Sequence, residues 1–246
     1  TNINNADTDS DGYTDYEEVN ANTDPKDAAS KIKVDLSTAI HNQISNGATD
    51  LNGIEANLKL WLDANNINAT ENNGINNNAP ITRWLDLSGH GNVAEQPTTN
   101  EKAKFNNTNQ SIVFDGTNDA FNIGTNLTTG TSYTVIVVEK RNKSKIDNYF
   151  FGQLGLDSAN QNIHLGYRSD TEITLAHHNN DLNANVRGKS GIDISAFRFK
   201  KDQSPSHFIN YNGELIANSN GGSALTNMGN NLIGLVRSKN GSTVTN

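Results

Sequence analysis

From Leu58 onward the chain alternates short apolar runs with clusters of Asn, Gly, Asp and Ser, a pattern that predicts many short strands joined by polar loops. The expected strands are Leu58–Leu62, Ser111–Phe114, Tyr133–Glu139, Tyr149–Gln153 and Asn162–Tyr167, followed by Ile173–His177, Ile192–Phe199, His207–Tyr211, Glu214–Ala217 and Leu232–Val236. The strongest local signal runs from Phe208 to Ile216. Within it Asn212-Gly213 supplies the positive φ angles of a two-residue type I′ turn between β-prone flanks, with Phe208 on one face of the sheet and Ile209 on the other. Before position 58 the pattern changes. Residues 1–30 are acidic and nearly devoid of large aliphatics, and residues 31–57 form a connector in which Val34, Leu36, Ile40 and Ile44 have the spacing of a short amphipathic helix.

Composition sharpens this into an all-β fold. Of 246 residues only 33% are aliphatic or aromatic, and Asn, Gly, Ser and Thr fill the loops. The length suits one large β-domain, residues 58–246, plus a small N-terminal appendage. The net charge of −8 and the lack of a Lys/Arg-rich run argue against nucleic acid as a partner. No apolar stretch approaches the ~20 residues of a membrane-spanning helix, so membrane insertion is not expected. There are no cysteines, so no disulfide staples the fold. With no initiator Met and no signal peptide, the chain reads as a mature or excised piece of a longer exported polypeptide.

The candidate chemistry begins at Asp7. The segment Asp7-Thr-Asp9-Ser-Asp11-Gly12-Tyr13-Thr-Asp15-Tyr-Glu17-Glu18 fits D-x-D-x-D-G-x-x-D-x-x-E at every defined position. Asp7, Asp9 and Asp11 converge as the chain curls, Gly12 permits the sharp turn, and Tyr13 offers its backbone carbonyl. Asp15 binds directly or through water, and Glu18 closes the shell with both oxygens. These are hard oxygen donors, as Ca²⁺ prefers. A solvated acidic loop is the alternative, but five carboxylates in register with a glycine exceed what such a loop needs. Without metal their charges repel, so ordering of the loop is coupled to Ca²⁺.

After one or two helical turns the loop is followed by Asn22-Thr23-Asp24-Pro25, and no second loop is visible. The cassette resembles the thrombospondin type 3-like calcium repeats of exported bacterial proteins, with Asn22 in place of the usual Gly. The resemblance implies a structural clip at millimolar extracellular calcium and a ligating role for Asp24.

Further on come Leu58-Lys-Leu-Trp-Leu-Asp63-Ala, then Trp84-Leu-Asp86-Leu-Ser-Gly89-His-Gly91-Asn92, then Phe114-Asp115-Gly116-Thr-Asn-Asp119. Tyr211 to Ala217 and Asn231-Leu-Ile233-Gly234 complete an ordered series that resembles the bacterial laminin G-like (concanavalin A-like lectin/glucanase) family over about residues 58–240. That resemblance implies two antiparallel sheets in a jelly roll. It also implies a further strand after the Ile-Gly strand, so this chain is expected to lack its last strand and to leave a sheet edge unpaired. A second, rim Ca²⁺ would fall to Asp86, Asn92, Asp115 and Asp119. The alternative for these four is that they cap their own turns. Trp61 and Trp84, beside leucines, read as core residues. Of His177 and His178 at most one can line a groove, and a solvated pair is the simpler expectation.

Three function classes follow. Glucanases of that superfamily carry E-x-D-x-x-E on one strand, and the nearest counterpart here, Gly191-Ile-Asp193-Ile-Ser-Ala196, lacks both glutamates. No thiol, G-x-S-x-G or H-E-x-x-H is present, so no catalytic residue and no enzyme are expected. A non-catalytic module for a glycan or another cell-surface ligand, within an adhesin or other large surface protein, is the leading expectation. A structural spacer or passenger without ligand is the alternative. Addition of EGTA is expected to lower the melting temperature of the calcium-loaded chain, as read by circular dichroism, and an unchanged melt would contradict the coupling of loop order to calcium.

Overall fold

The computed structural model describes residues 8, 9, 15, 19, 24–27, 57–153, 156, 158–188, 191–220, 222–226, 229–239 and 242–245, with side chains through Gly234. The chain divides into two compact units, Thr1–Leu58 and Lys59–Asn246. In the first unit Asp15 and Val19 are helical and residues 24–27 form a turn. The connector helix expected around Val34 to Ile44 lies outside the described residues.

The second unit is built from antiparallel strands. They run in chain order as β1 (Arg83–Leu85), β2 (Val93–Glu95), β3 (Lys104–Asn106), β4 (Ser111–Val113) and β5 (Phe121–Asn122). Then come β6 (Tyr133–Lys140), β7 (Asn148–Gln153), β8 (His164–Ser169), β9 (Glu172–Ala176) and β10 (Leu182–Asn185). The last are β11 (Ile192–Phe199), β12 (His207–Tyr211), β13 (Glu214–Ser219), β14 (Asn231–Ile233), β15 (Leu235–Lys239) and β16 (Ser242–Thr245). An eight-stranded sheet has the order β1-β2-β5-β14-β7-β8-β9-β10, and a four-stranded sheet the order β13-β12-β11-β6. β3–β4 and β15–β16 are separate two-stranded pairs.

Alternation explains how the two large sheets share one core. On β11 the residues Asp193, Ser195, Phe197 and Phe199 are buried while Ile192 and Ile194 face out. Phe197, Phe199, Ile209 and Tyr211 of the four-stranded sheet join Phe151, Leu165, Tyr167, Ile173 and Leu175 of the eight-stranded sheet in a single apolar cluster. Phe150 bridges the sheets, with ring centroids 5.5 Å from Phe197 and 6.2 Å from Tyr167. Three consecutive aromatics, Tyr149 to Phe151, all find cover because the β7–β8 ladder is irregular between Tyr149 and Phe151. The irregularity turns Phe150 and Phe151 into the main core and leaves Tyr149 in a satellite cluster with Ala120 and Leu232.

The hairpin forms as the sequence predicts. Asn212 and Gly213 have φ of 50° and 88°, and Tyr211 pairs with Glu214. Ile209 lies in the core, and Phe208 faces the other way beneath Arg198 and Lys200. The expected Leu58–Leu62 strand is not one. Its backbone groups are taken by loop partners: Asp86 accepts from the N–H of Trp61 at 2.9 Å, Leu87 N–H donates to the Trp61 carbonyl at 2.8 Å, and the Asn92 amide reaches the Lys59 carbonyl at 2.8 Å. The expected Leu232–Val236 strand is split into β14 and β15 by Gly234, whose φ is 78°. β1, β2, β3, β5, β10 and β16 are strands without an obvious signal, because most are short and polar. Trp84 packs on the core edge-to-face with Phe121 and donates from its indole to the Asp63 carbonyl at 3.0 Å, whereas Trp61 stays half-buried outside the cluster.

The β7 irregularity requires a glycine opposite it. Gly166 has φ of 144°, and a Cβ there would meet Asn148 O at 2.6 Å and Tyr149 Cα at 2.7 Å. Both are backbone atoms that cannot swing aside. Gly166→Ala is therefore expected to lower unfolding free energy by about 3 kcal/mol, read by urea denaturation.

Candidate functional site

Three places carry candidate chemistry: the acidic loop of the first unit, the turns around Asp86 and Asp115, and a hollow at one end of the four-stranded sheet.

In the first unit Thr8 closes on Asp15. Its N–H and its hydroxyl donate to the two carboxylate oxygens of Asp15 at 2.9 and 2.7 Å. This brings the start of the loop to its ninth position, and one oxygen of Asp9 is withdrawn from solvent. Each carboxylate oxygen retains a second lone pair for a cation, so the donor set fits Ca²⁺. Asp24 accepts from Lys26 N–H at 3.1 Å, and its carbonyl accepts from Asp27 N–H at 3.1 Å, making the turn that ends the cassette. Asp7, Asp11, Tyr13 and Glu18 lie outside the described residues.

The second group has a different arrangement. Asp86 accepts from Trp61 N–H, Ser88 N–H, the Ser88 hydroxyl at 2.8 Å, and the backbone and side-chain amides of Asn92 at 3.3 Å. Asp119 accepts from Asp115 N–H at 2.8 Å, and Asp115 accepts from Thr117 N–H at 2.7 Å. Burial opposes ionisation of Asp115, but the amides of Thr117, Asn118 and Asp119 outweigh it and its pKa falls below the ordinary value. Burial raises that of Asp119. Among the described residues no group of three or more His, Asp or Glu side chains is placed to hold a metal. Asp86 with Asn92, and Asp115 with Asp119, form two hydrogen-bonded turns.

The hollow was not foreseen. It has a volume of about 360 Å³. Asp202, Gln203, Ser204 and Ser206 line it from the β11–β12 loop, Asn220 and Ser223 line it from the loop after β13, and Phe199 forms part of its floor. Behind it stands a buried polar cluster. Ser206 pairs with Nδ1 of His207 at 3.0 Å, and the His207 ring stands edge-on to His177 at 4.6 Å. Nδ1 of His177 lies 3.3 Å from the Ser223 carbonyl, which can only accept, so this nitrogen carries the proton. Nε2 of His177 then accepts from the Tyr133 hydroxyl at 2.6 Å. The solvated histidine pair expected from sequence is corrected here: His177 has no exposed surface, because β9 carries it under the 223–224 loop, while His178 lies outside this cluster. Gly222 permits that loop's approach, since a Cβ would meet Cε1 of His207 at 3.1 Å. Nε2 of His207 has no hydrogen-bond partner among the described residues.

Burial, reinforced by the neighbouring His207, holds the His177 pKa down to about 3, and burial holds that of His207 at about 4. The cluster is uncharged at neutral pH. No sequence signal marks it, because Tyr133, His177, Ser206 and Ser223 come from separate segments.

A family model for the bacterial TSP3 repeat matches residues 7–28. Such repeats bind calcium, in accord with the all-oxygen loop. No curated protein matches the chain. Among the described residues no helix is long and apolar enough to cross a membrane.

The two buried histidines have a consequence for stability. Between pH 6.5 and about 4 the unfolded chain takes up protons that the folded cluster refuses, so stability is full above pH 6.5 and falls as pH falls. The loss is expected to reach at most about 1.4 kcal/mol per pH unit per histidine. Urea denaturation at pH 7.0 and 5.0 checks this, and His177→Gln is expected to flatten the dependence while lowering stability at pH 7.0.

Proposed function

We propose that this chain is a non-catalytic, calcium-stabilised module for neutral glycans, carried by an exported bacterial surface protein or adhesin. Residues 1–30 form the calcium clip, 31–57 the connector and 58–246 a laminin G-like, concanavalin A-like jelly roll. The match of residues 7–28 to a bacterial calcium repeat supports the clip and an extracellular setting. In the clip Asp7, Asp9, Asp11, Tyr13, Asp15 and Glu18 hold Ca²⁺, with Asp24 beside them. The ordered motifs from Trp61 to Gly234 support the sandwich type.

The observation that carries the ligand reading is the lining of the hollow. Hydroxyls, carboxamides and one carboxylate offer both donors and acceptors to sugar hydroxyls, and among the described residues no Lys or Arg lines it, which argues against an anionic ligand. The volume is at the lower end for a ligand site, which suits one sugar residue.

Two features support a role without catalysis. Glu139 and Asp193 stand directly opposite on β6 and β11. Burial raises the pKa of Glu139. Burial also opposes ionisation of Asp193, but hydrogen bonds from Asn212 and Arg187 more than offset it. Such a divergent pair suits acid/base chemistry. Yet Asp193 has no exposed surface to offer a substrate. Among the described residues Nε2 of His207 has no partner to orient the ring for catalysis, and the low basicity of His207 makes it a weak base.

A glycan array probed with the intact chain in calcium, and again in EGTA, tests the reading. Binding of neutral glycans is expected, weakened at least tenfold by Asp202→Asn, which keeps a residue that tolerates the positive φ there, and by Asn220→Ala, without a change in melting temperature. No hit in calcium sinks the ligand reading and leaves a structural spacer or exported passenger.

A further inference from the structure

The outer face of the four-stranded sheet carries a feature that neither the calcium loop nor the hollow uses. Alternation turns Thr134, Ile136, Val138 and Lys140 of β6 away from the core, together with Ile192, Ile194, Ala196 and Arg198 of β11. The ladder sets Val138 beside Ile194 and Ile136 beside Ala196, and the latter row continues through Asn210 to Leu215. Ile136, Val138, Ile192, Ile194 and Leu215 are 49–67% exposed. An isolated exposed aliphatic needs no explanation, but five on one sheet face form a patch of the kind that marks an interaction surface.

Charge selects the partner. The charged side chains of this face are Lys140 beyond one end of the patch and Arg198 at the other, joined there by Lys200. Arg198 and Lys200 sit over the Phe208 ring at 4.3 and 5.3 Å, so their cationic ends stand on an aromatic base at the sheet surface. No carboxylate shares these rows, although the chain holds 27 acidic and 19 basic residues. Both ends of the patch are cationic, so two copies stacked face to face would set cation against cation. The face is not self-complementary. An anionic amphiphile meets both demands: apolar groups for the aliphatics, negative groups for the three cations.

We propose that this face docks on an anionic lipid surface without crossing it. Ile136, Val138, Ile192, Ile194 and Leu215 seat at the boundary between headgroups and acyl chains, while Lys140, Arg198 and Lys200 contact lipid phosphates.

Co-sedimentation of the intact chain with vesicles of equal phosphatidylglycerol and phosphatidylcholine, against vesicles of phosphatidylcholine alone, tests this. Binding to the anionic vesicles only is expected, weakened about fivefold by Lys140→Glu and tenfold or more by Ile194→Asp, and lost progressively with added salt. Both positions are solvent-facing, so unchanged melts are expected; Leu215→Ser serves in place of any variant that fails to fold. No binding to anionic vesicles, or equal binding to both kinds, overturns the proposal. So does binding that EGTA abolishes and Ile194→Asp leaves intact, which marks calcium bridging through the acidic loop. Sedimentation velocity in the absence of lipid supplies the remaining arm. Self-association removed by Ile194→Asp assigns the patch to a second copy instead and likewise overturns the lipid reading.

Discussion

The sandwich depends at one end on a carboxylate with no solvent exposure. Asp193 lies on the core face of β11, where the alternation of the strand leaves no route to water. Arg187 reaches it through Nη2 at 2.6 Å and Nε at 3.2 Å, the Asn212 amide donates at 3.0 Å, and Nη2 of Arg141 stands 3.9 Å away. These partners come from the loop before β11, the β12–β13 turn and the end of β6, so a single charge holds three connections together. Arg141 carries the network to the other sheet. It stacks on Tyr167 of β8 at 3.8 Å and donates to the carbonyls of Asp170 at 2.7 Å and Arg187 at 3.1 Å. Tyr167 returns to β6 by donating to Glu139 at 2.5 Å. Arg187 is half-exposed, so the pair is buried on one side only, and removal of a donor leaves the Asp193 carboxylate short of partners where water does not reach. In a chain without cysteine, this network fixes which loops meet.

The opposite end of the same sheet follows a different rule. Tyr133 and Phe199, at the far end of the β6–β11 ladder, contact His177 and His207 instead of ions. The polar groups here stay neutral, because burial suppresses protonation of both rings. One end is organised by compensated charge and the other by uncharged hydrogen bonds. The hollow opens at this neutral end. Asp86, Asp115 and Asp119 accept hydrogen bonds from amides in their own turns.

Local chemistry was readable from the sequence wherever it depends on neighbours in the chain. β11 was bounded residue for residue by its unbroken alternation and β12 by the turn that ends it, which Asn212-Gly213 specified through backbone sterics alone. The calcium repeat was legible for the same reason: its acidic positions lie close together along the chain, and residues 7–28 match a bacterial TSP3 repeat. Signals failed where distant groups competed. The Leu58–Leu62 run has the hydrophobicity of a strand, yet Asp86 and Asn92 capture its backbone. Gly234, in left-handed backbone, breaks another run in two.

The sequence by itself thus determined the all-β class, the hairpin and the acidic loop, since each is set by residues close together along the chain. Only the tertiary structure decided that His177 is buried against Tyr133 and His207, that Asp193 rests between Arg187 and Asn212, and that Asp86 and Asp119 turn toward backbone amides. The physical reason is common to all three. A polar side chain takes whichever partners burial brings to it, and burial is a property of the packed sheets, with no trace in the spacing of the residues that meet.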